Sequence, residues 1–124
     1  MTQPLALVIY EDLLPGTQLV NRLQDLKYRV RAINDVESLE SFARKEKPMV
    51  VFADIVSSRS NVCGAIARLK ASADTRHIPV IAFADDDAEP LQSAARAAGA
   101  SLVVSDSAIL SHLSQFLEQA LQVD

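Results

Sequence analysis

Four short apolar runs, at residues 5–10, 49–53, 80–83 and 102–104, recur along the chain and are separated by longer segments of helical periodicity. These runs lack the polar alternation of a strand with one wet face, so most of them read as strands buried on both sides. Residues 28–33 differ: Tyr, Arg, Val, Arg, Ala and Ile alternate, the period of a half-exposed strand near a sheet edge. Strands apolar on both faces need cover on both faces, and the simplest supply is a helix in every connection.

The intervening segments provide those helices. Leu19, Leu23 and Leu26 recur at helical spacing after residues 15–17, and that helix is predicted to run to about Lys27. Asn34-Asp35 is placed to cap a second helix with Val36, Leu39, Phe42 and Ala43 on its buried stripe, and Pro48 forbids its continuation. Val62, Ala65, Ile66 and Leu69 mark a third. Asp85, Asp86, Asp87, Glu89 and Pro90 surround the start of an Ala-rich fourth, for which Gly99 is a natural C-cap. Residues 105–107 read as a turn before a last helix lined by Ile109, Leu110, Leu113, Phe116, Leu117, Ala120 and Leu121. The expectation is an α/β fold: a three-layer (βα)5 doubly wound sandwich, one domain over residues 1–124, with no output domain in this chain.

Composition narrows the function classes. No apolar run approaches the roughly 20 residues that span a bilayer, and the start, Met-Thr-Gln-Pro, lacks a basic signal region. A soluble cytoplasmic protein without membrane contact is expected. Cys63 is the only cysteine, which excludes an intrachain disulfide, and its place on a helical apolar face reads as packing. Residues 1–83 carry 11 basic and 9 acidic side chains, whereas residues 84–124 carry 1 and 7, leaving the last third near −6. Without a basic cluster or an aromatic platform, nucleic-acid binding is not expected. The three glycines, Gly16, Gly64 and Gly99, are too scattered for a phosphate-cradling loop, which disfavours a nucleotide- or flavin-binding domain. His77 and His112 have no serine or cysteine beside them in a nucleophile-elbow context, and no enzymatic activity is expected.

In a doubly wound sheet, ligands bind outside the carboxyl ends of the strands. The residues there are Glu11, Asp12, Asp54, Ala84, Asp85 and Asp106. Carboxylates from Glu11, Asp12 and Asp54 would form an oxygen-rich pocket suited to a hard cation such as magnesium, bound weakly. The plainer use of such acids is to solvate a loop or cap a helix; Asp54, directly after a buried strand, is the hardest to explain that way.

Three stretches, Val-Phe-Ala-Asp ending at Asp54, Asp-Thr-Arg-His-Ile-Pro-Val-Ile ending at Ile81, and Ala-Ala-Gly-Ala ending at Ala100, give the chain a family likeness. Over residues 5–121 it resembles a response-regulator receiver domain of two-component signalling. The resemblance implies the CheY-like, flavodoxin-like strand order 2-1-3-4-5. It also implies an acceptor aspartate that attacks a phosphoryl donor, beside an acidic pair that helps to hold magnesium. A Ser or Thr closing the fourth strand and a Lys closing the fifth would bind the phosphoryl oxygens.

Carried over residue by residue, the resemblance is incomplete. Asp54 matches the acceptor. The acidic pair falls on Glu11 and Asp12, or on Tyr10 and Glu11 if the following loop keeps its usual length. The hydroxyl position is Ala84, the lysine position Asp106, the following proline Ser107, and the aromatic switch position Val103. Ser57-Ser58 replaces the family's Met-Pro step after the acceptor. The exchange of lysine for Asp106 weighs most, because at about 4 Å and an effective dielectric of about 20 one unit-charge interaction is worth on the order of 4 kcal/mol. Phosphoryl transfer rests mainly on such electrostatic positioning. Alternatively, Asp106 turns away and caps the last helix; the cation is missing in either case.

The expected function is a protein-interaction module of signal transduction, a degenerate receiver (pseudo-receiver) working without normal phosphorylation of Asp54. The alternative is a functional phosphoacceptor receiver, part of a phosphorelay, that takes phosphate on Asp54 from a histidine kinase. Partners are expected to be a histidine kinase or a downstream effector with a basic surface. A charge-paired homodimer through the last third is disfavoured, because Arg96 is its only cation.

Overall fold

The computed structural model describes residues 4–9, 13–33, 38–55, 62–84 and 89–121. Strands β1 (Leu5–Ile9), β2 (Arg29–Ile33), β3 (Val50–Asp54), β4 (Val80–Ala84) and β5 (Leu102–Ser105) form one parallel sheet in the order β2-β1-β3-β4-β5. Between them lie α1 (Leu13–Asp25), α2 (Leu39–Glu46), α3 (Val62–Ala71) and α4 (Glu89–Ala98), and the last strand leads into α5 (Asp106–Ser111) and α6 (Leu113–Leu121). The predicted three-layer architecture and strand order are both realised.

Every residue of β1, β3 and β4 is buried, as their unbroken apolar runs require. Alternate residues feed opposite layers. Leu5, Leu7, Ile9, Val51 and Ala53 pack with Leu39, Ala43, Ile66, Leu69 and Ala95 of α2, α3 and α4. Ala6, Val8, Val50, Phe52 and Phe83 pack with Leu19, Leu23, Ile109, Leu113 and Leu117 of α1, α5 and α6. Strand β2 lies at an edge with Arg29 and Arg31 exposed, in keeping with its alternating sequence, and the Arg31 guanidinium stands 5.2 Å above the Phe42 ring.

Several boundaries differ from expectation for local reasons. Helix α1 starts at Leu13, ahead of Pro15, because a proline costs no hydrogen bond in the first turn. It ends before Lys27, which takes a left-handed φ of 70°. Strand β3 starts at Val50; Met49, 46% exposed, only docks its N–H on the Leu5 carbonyl at 2.8 Å. The expected turn at residues 105–107 is absent, since β5 runs to Ser105 and α5 begins at the next residue. The single last helix is interrupted at His112 (φ −124°, ψ 31°). The Asn34-Asp35 cap, Val36 and the polar loop at residues 57–61 lie outside the described residues. Among the described residues no helix is long and apolar enough to cross a membrane.

Two polar features secure the ends of β4 and β5 where the chain enters the sheet. Thr75 is fully buried and its hydroxyl donates to the Leu69 carbonyl at 2.7 Å, satisfying an acceptor in the last turn of α3. The Lys70 ammonium donates to the carbonyls of Ile78 (2.7 Å) and Arg76 (3.2 Å), although its partial burial holds its pKa below the usual lysine value. The aliphatic stem of Lys70 lies against Gly99, which ends α4 at φ 112°; a Cβ there would come within 2.7 Å of Lys70 Cγ. Gly99 is therefore required twice, as the helix terminator expected from sequence and as the floor under Lys70.

Gly99→Ala is expected to lower the free energy of unfolding by about 1–3 kcal/mol, from backbone strain alone, measured by urea denaturation. Thr75→Val, nearly isosteric, is expected to cost about 1–3 kcal/mol because it leaves the Leu69 carbonyl buried without a donor. A loss under about 0.5 kcal/mol for Thr75→Val, the range of ordinary surface changes, would show that the hydroxyl is not needed.

Candidate functional site

Strand order fixes where a site can form. The neighbours of β1 are β2 and β3, so the connections leave the sheet in opposite senses on the two sides of β1, and a crevice is expected beside the carboxyl end of β3. Asp54 is the last residue of β3. It lies opposite Phe83 of β4, and the next residue, Ile55, donates its N–H to the Phe83 carbonyl at 3.1 Å. Asp54 is only 7% exposed, in contrast to a loop carboxylate held in water. On the other side, Ile9 closes β1 opposite Ala53, so residues 10–12 follow directly from a strand end beside Asp54. Glu11 and Asp12 themselves, with the choice between them and Tyr10, lie outside the described residues, as do Ser57, Ser58 and Asp85. Among the described residues no three His, Cys, Asp or Glu side chains converge in a way that could hold a metal.

Ala84 and Ser105, the last residues of β4 and β5, are register partners, so the two positions meet at the same level of the sheet. Ala84 is fully buried in the layer under α2, α3 and α4, and its methyl group offers nothing to an anionic oxygen. Val103 is half-buried against the same cluster and pairs with Ala82; it is a β-branched side chain with few rotamers and no ring to swing between core and solvent.

Asp106 opens α5, but it is not the cap. Ser105 has the extended backbone of an N-cap residue (φ −80°, ψ 159°), and its hydroxyl accepts the Ala108 N–H at 3.1 Å. The Ser107 hydroxyl lies 3.4 Å from that of Ser105. The capping role considered for Asp106 thus belongs to its neighbour, which the sequence signalled only as a serine immediately before a helix start. Cys63, in the first turn of α3, packs against the core with its Sγ 4.0 Å from the Leu91 carbonyl, and burial pushes its thiol pKa up. It is a packing group, not an activated nucleophile.

No family model matches the sequence, and no curated protein matches it. Solved structures do. A structure described as a response regulator from Chloroflexus aurantiacus J-10-fl superposes with a TM-score of 0.89 at 16% identity, covering 98% of this chain and 100% of the other. The receiver domain of the sensor histidine kinase PA1611 from Pseudomonas aeruginosa PAO1, with magnesium coordinated in its active-site cleft, gives 0.87 at 16% identity over 98% and 100%. The receiver domain of NtrX from Brucella abortus gives 0.82 at 20% identity over 96% and 99%.

Replacing Ser105 with alanine is expected to cost about 1 kcal/mol through loss of the α5 cap, read as a lower denaturation midpoint. Unchanged stability would mean that the hydroxyl bond contributes nothing and that α5 is held by packing alone. The fold that carries this site is that of response-regulator receiver domains.

Proposed function

We propose that this chain is a signal-transduction interaction module, a degenerate receiver that works without ordinary phosphorylation of Asp54. The observation that carries the reading is the set of side chains around the carboxyl end of the sheet. An acceptor-like aspartate is retained and buried, while the neighbouring strand ends supply a methyl group at Ala84 and an acid at Asp106. A phosphoryl group on Asp54 would gain charge with neither a hydroxyl nor a cation from those positions to meet it. Since phosphoryl transfer is accelerated chiefly by charge placed in advance, both losses act against the reaction.

Magnesium, as in the cleft of the Pseudomonas aeruginosa receiver domain, is supported here only by oxygen donors. Asp54 would hold it with a carboxylate from Glu11 or Asp12, and the ion would supply charge neutralisation in the crevice. The competing reading, a phosphoacceptor receiver served by a histidine kinase, is favoured by the place of Asp54 at the switch in strand order. The partner surface is proposed to be the acidic last third, residues 84–124, offered to a basic signalling protein in the cytoplasm rather than to a symmetric copy of itself.

Intact mass after incubation with magnesium and acetyl phosphate, beside an identically treated Asp54→Asn variant, decides between the two. No phosphoryl adduct is expected on the folded wild-type chain. An adduct that disappears in Asp54→Asn would establish Asp54 as a working acceptor and refute the degenerate reading.

A further inference from the structure

A cavity of about 280 Å³ opens between the last turn of α1 and the interruption between α5 and α6, lined by Arg22, Asp25, Leu26, Leu110, His112 and Leu113 among others. It contains none of the residues at the strand ends, and an interpretation of it does not rest on the function proposed for them.

Its lining has two features that belong together. Arg22 and Asp25 stand three residues apart on α1, a spacing at which opposite charges commonly pair. Among the described residues they form no ion pair with each other or with any other side chain, although both border the same cavity. Leu26, Leu110 and Leu113 add an apolar wall, and Leu26, the residue after α1, is 39% exposed whereas Leu19 and Leu23 of that helix are buried. A simple anion drawn to Arg22 would meet Asp25, and a simple cation the reverse. A ligand carrying both charges opposes each group with its complement, and an aliphatic tail on that ligand would cover the leucines. The volume lies just below the roughly 300–1,000 Å³ of pockets that take drug-sized ligands, which limits the occupant to a small molecule.

We propose that this cavity binds a small zwitterion with an aliphatic side chain, the chemical class of the aliphatic α-amino acids. The ligand's carboxylate faces Arg22, its ammonium faces Asp25, and its side chain lies on Leu26, Leu110 and Leu113.

The test uses the full chain, 15N-labelled, titrated with three matched probes: L-leucine, 4-methylpentanoate, which lacks the ammonium, and 3-methylbutylamine, which lacks the carboxylate. Leucine is expected to give saturable amide shifts at millimolar concentration, confined to residues 22–26 and 110–115. Each one-charge probe is expected to bind at least about tenfold more weakly, the scale of one lost charge-assisted contact. Arg22→Gln and Asp25→Asn, both at exposed positions, are expected to weaken leucine by a similar factor while the rest of the spectrum stays unchanged. The proposal is overturned by the absence of saturable shifts with leucine, by equal binding of a one-charge probe, or by variants that leave leucine affinity intact.

Discussion

The structure depends on the burial of both faces of β1, β3 and β4. Fifteen strand positions, five consecutive residues in each of three strands, are buried, and no single layer of helices can do that. Helices must cover the sheet from both sides, and a helix that returns along a strand delivers the next strand in parallel. Every strand then ends at the same edge of the sheet. The gathering of Asp54, Ala84 and Ser105 at one edge follows from hydrophobic burial and requires no attraction among the residues themselves.

This is why the architecture is legible in the sequence. Continuous apolar runs, helical spacing of leucines and alanines, and terminators such as Pro48 and Gly99 are local signals, and the fold follows them. The features that escaped involve partners that no periodic pattern links or a choice between equivalent neighbours. Thr75 is a hydroxyl in a polar stretch until the Leu69 carbonyl is seen above it. The support that Lys70 gives to two carbonyls and the space that it takes over Gly99 link residues with no shared pattern. Ser105 and Asp106 are both good helix-capping residues, and only the backbone geometry distinguishes them. Nothing in the sequence around His112 marks a break, because the apolar spacing from Ile109 to Leu121 is that of one continuous helix.

The site was legible to the extent that it follows from strand ends. Asp54 was identified as a carboxylate closing a buried strand, and its low exposure agrees with that reading. The positions of Ala84, Val103 and Asp106 follow from the family likeness, and the strand register places Ala84 beside Ser105 and Val103 beside Ala82. What a sequence does not convey is which side chains around an aspartate meet in space when several loops contribute one residue each.

Thr75, Lys70 and Gly99 divide the molecule by its tolerance to change. All three act where the chain enters β4 and β5, and they join the end of α3, the turn after it and the end of α4. The opposite rim, where β3, β4 and β5 end, contains Asp54, Ala84 and Asp106 and takes no part in that joinery. Mutations can therefore accumulate around the rim, altering or abolishing its chemistry, while the scaffold beneath continues to fold. A lineage built this way can lose a reaction long before it loses a shape, and the surviving shape remains free to be read by new partners.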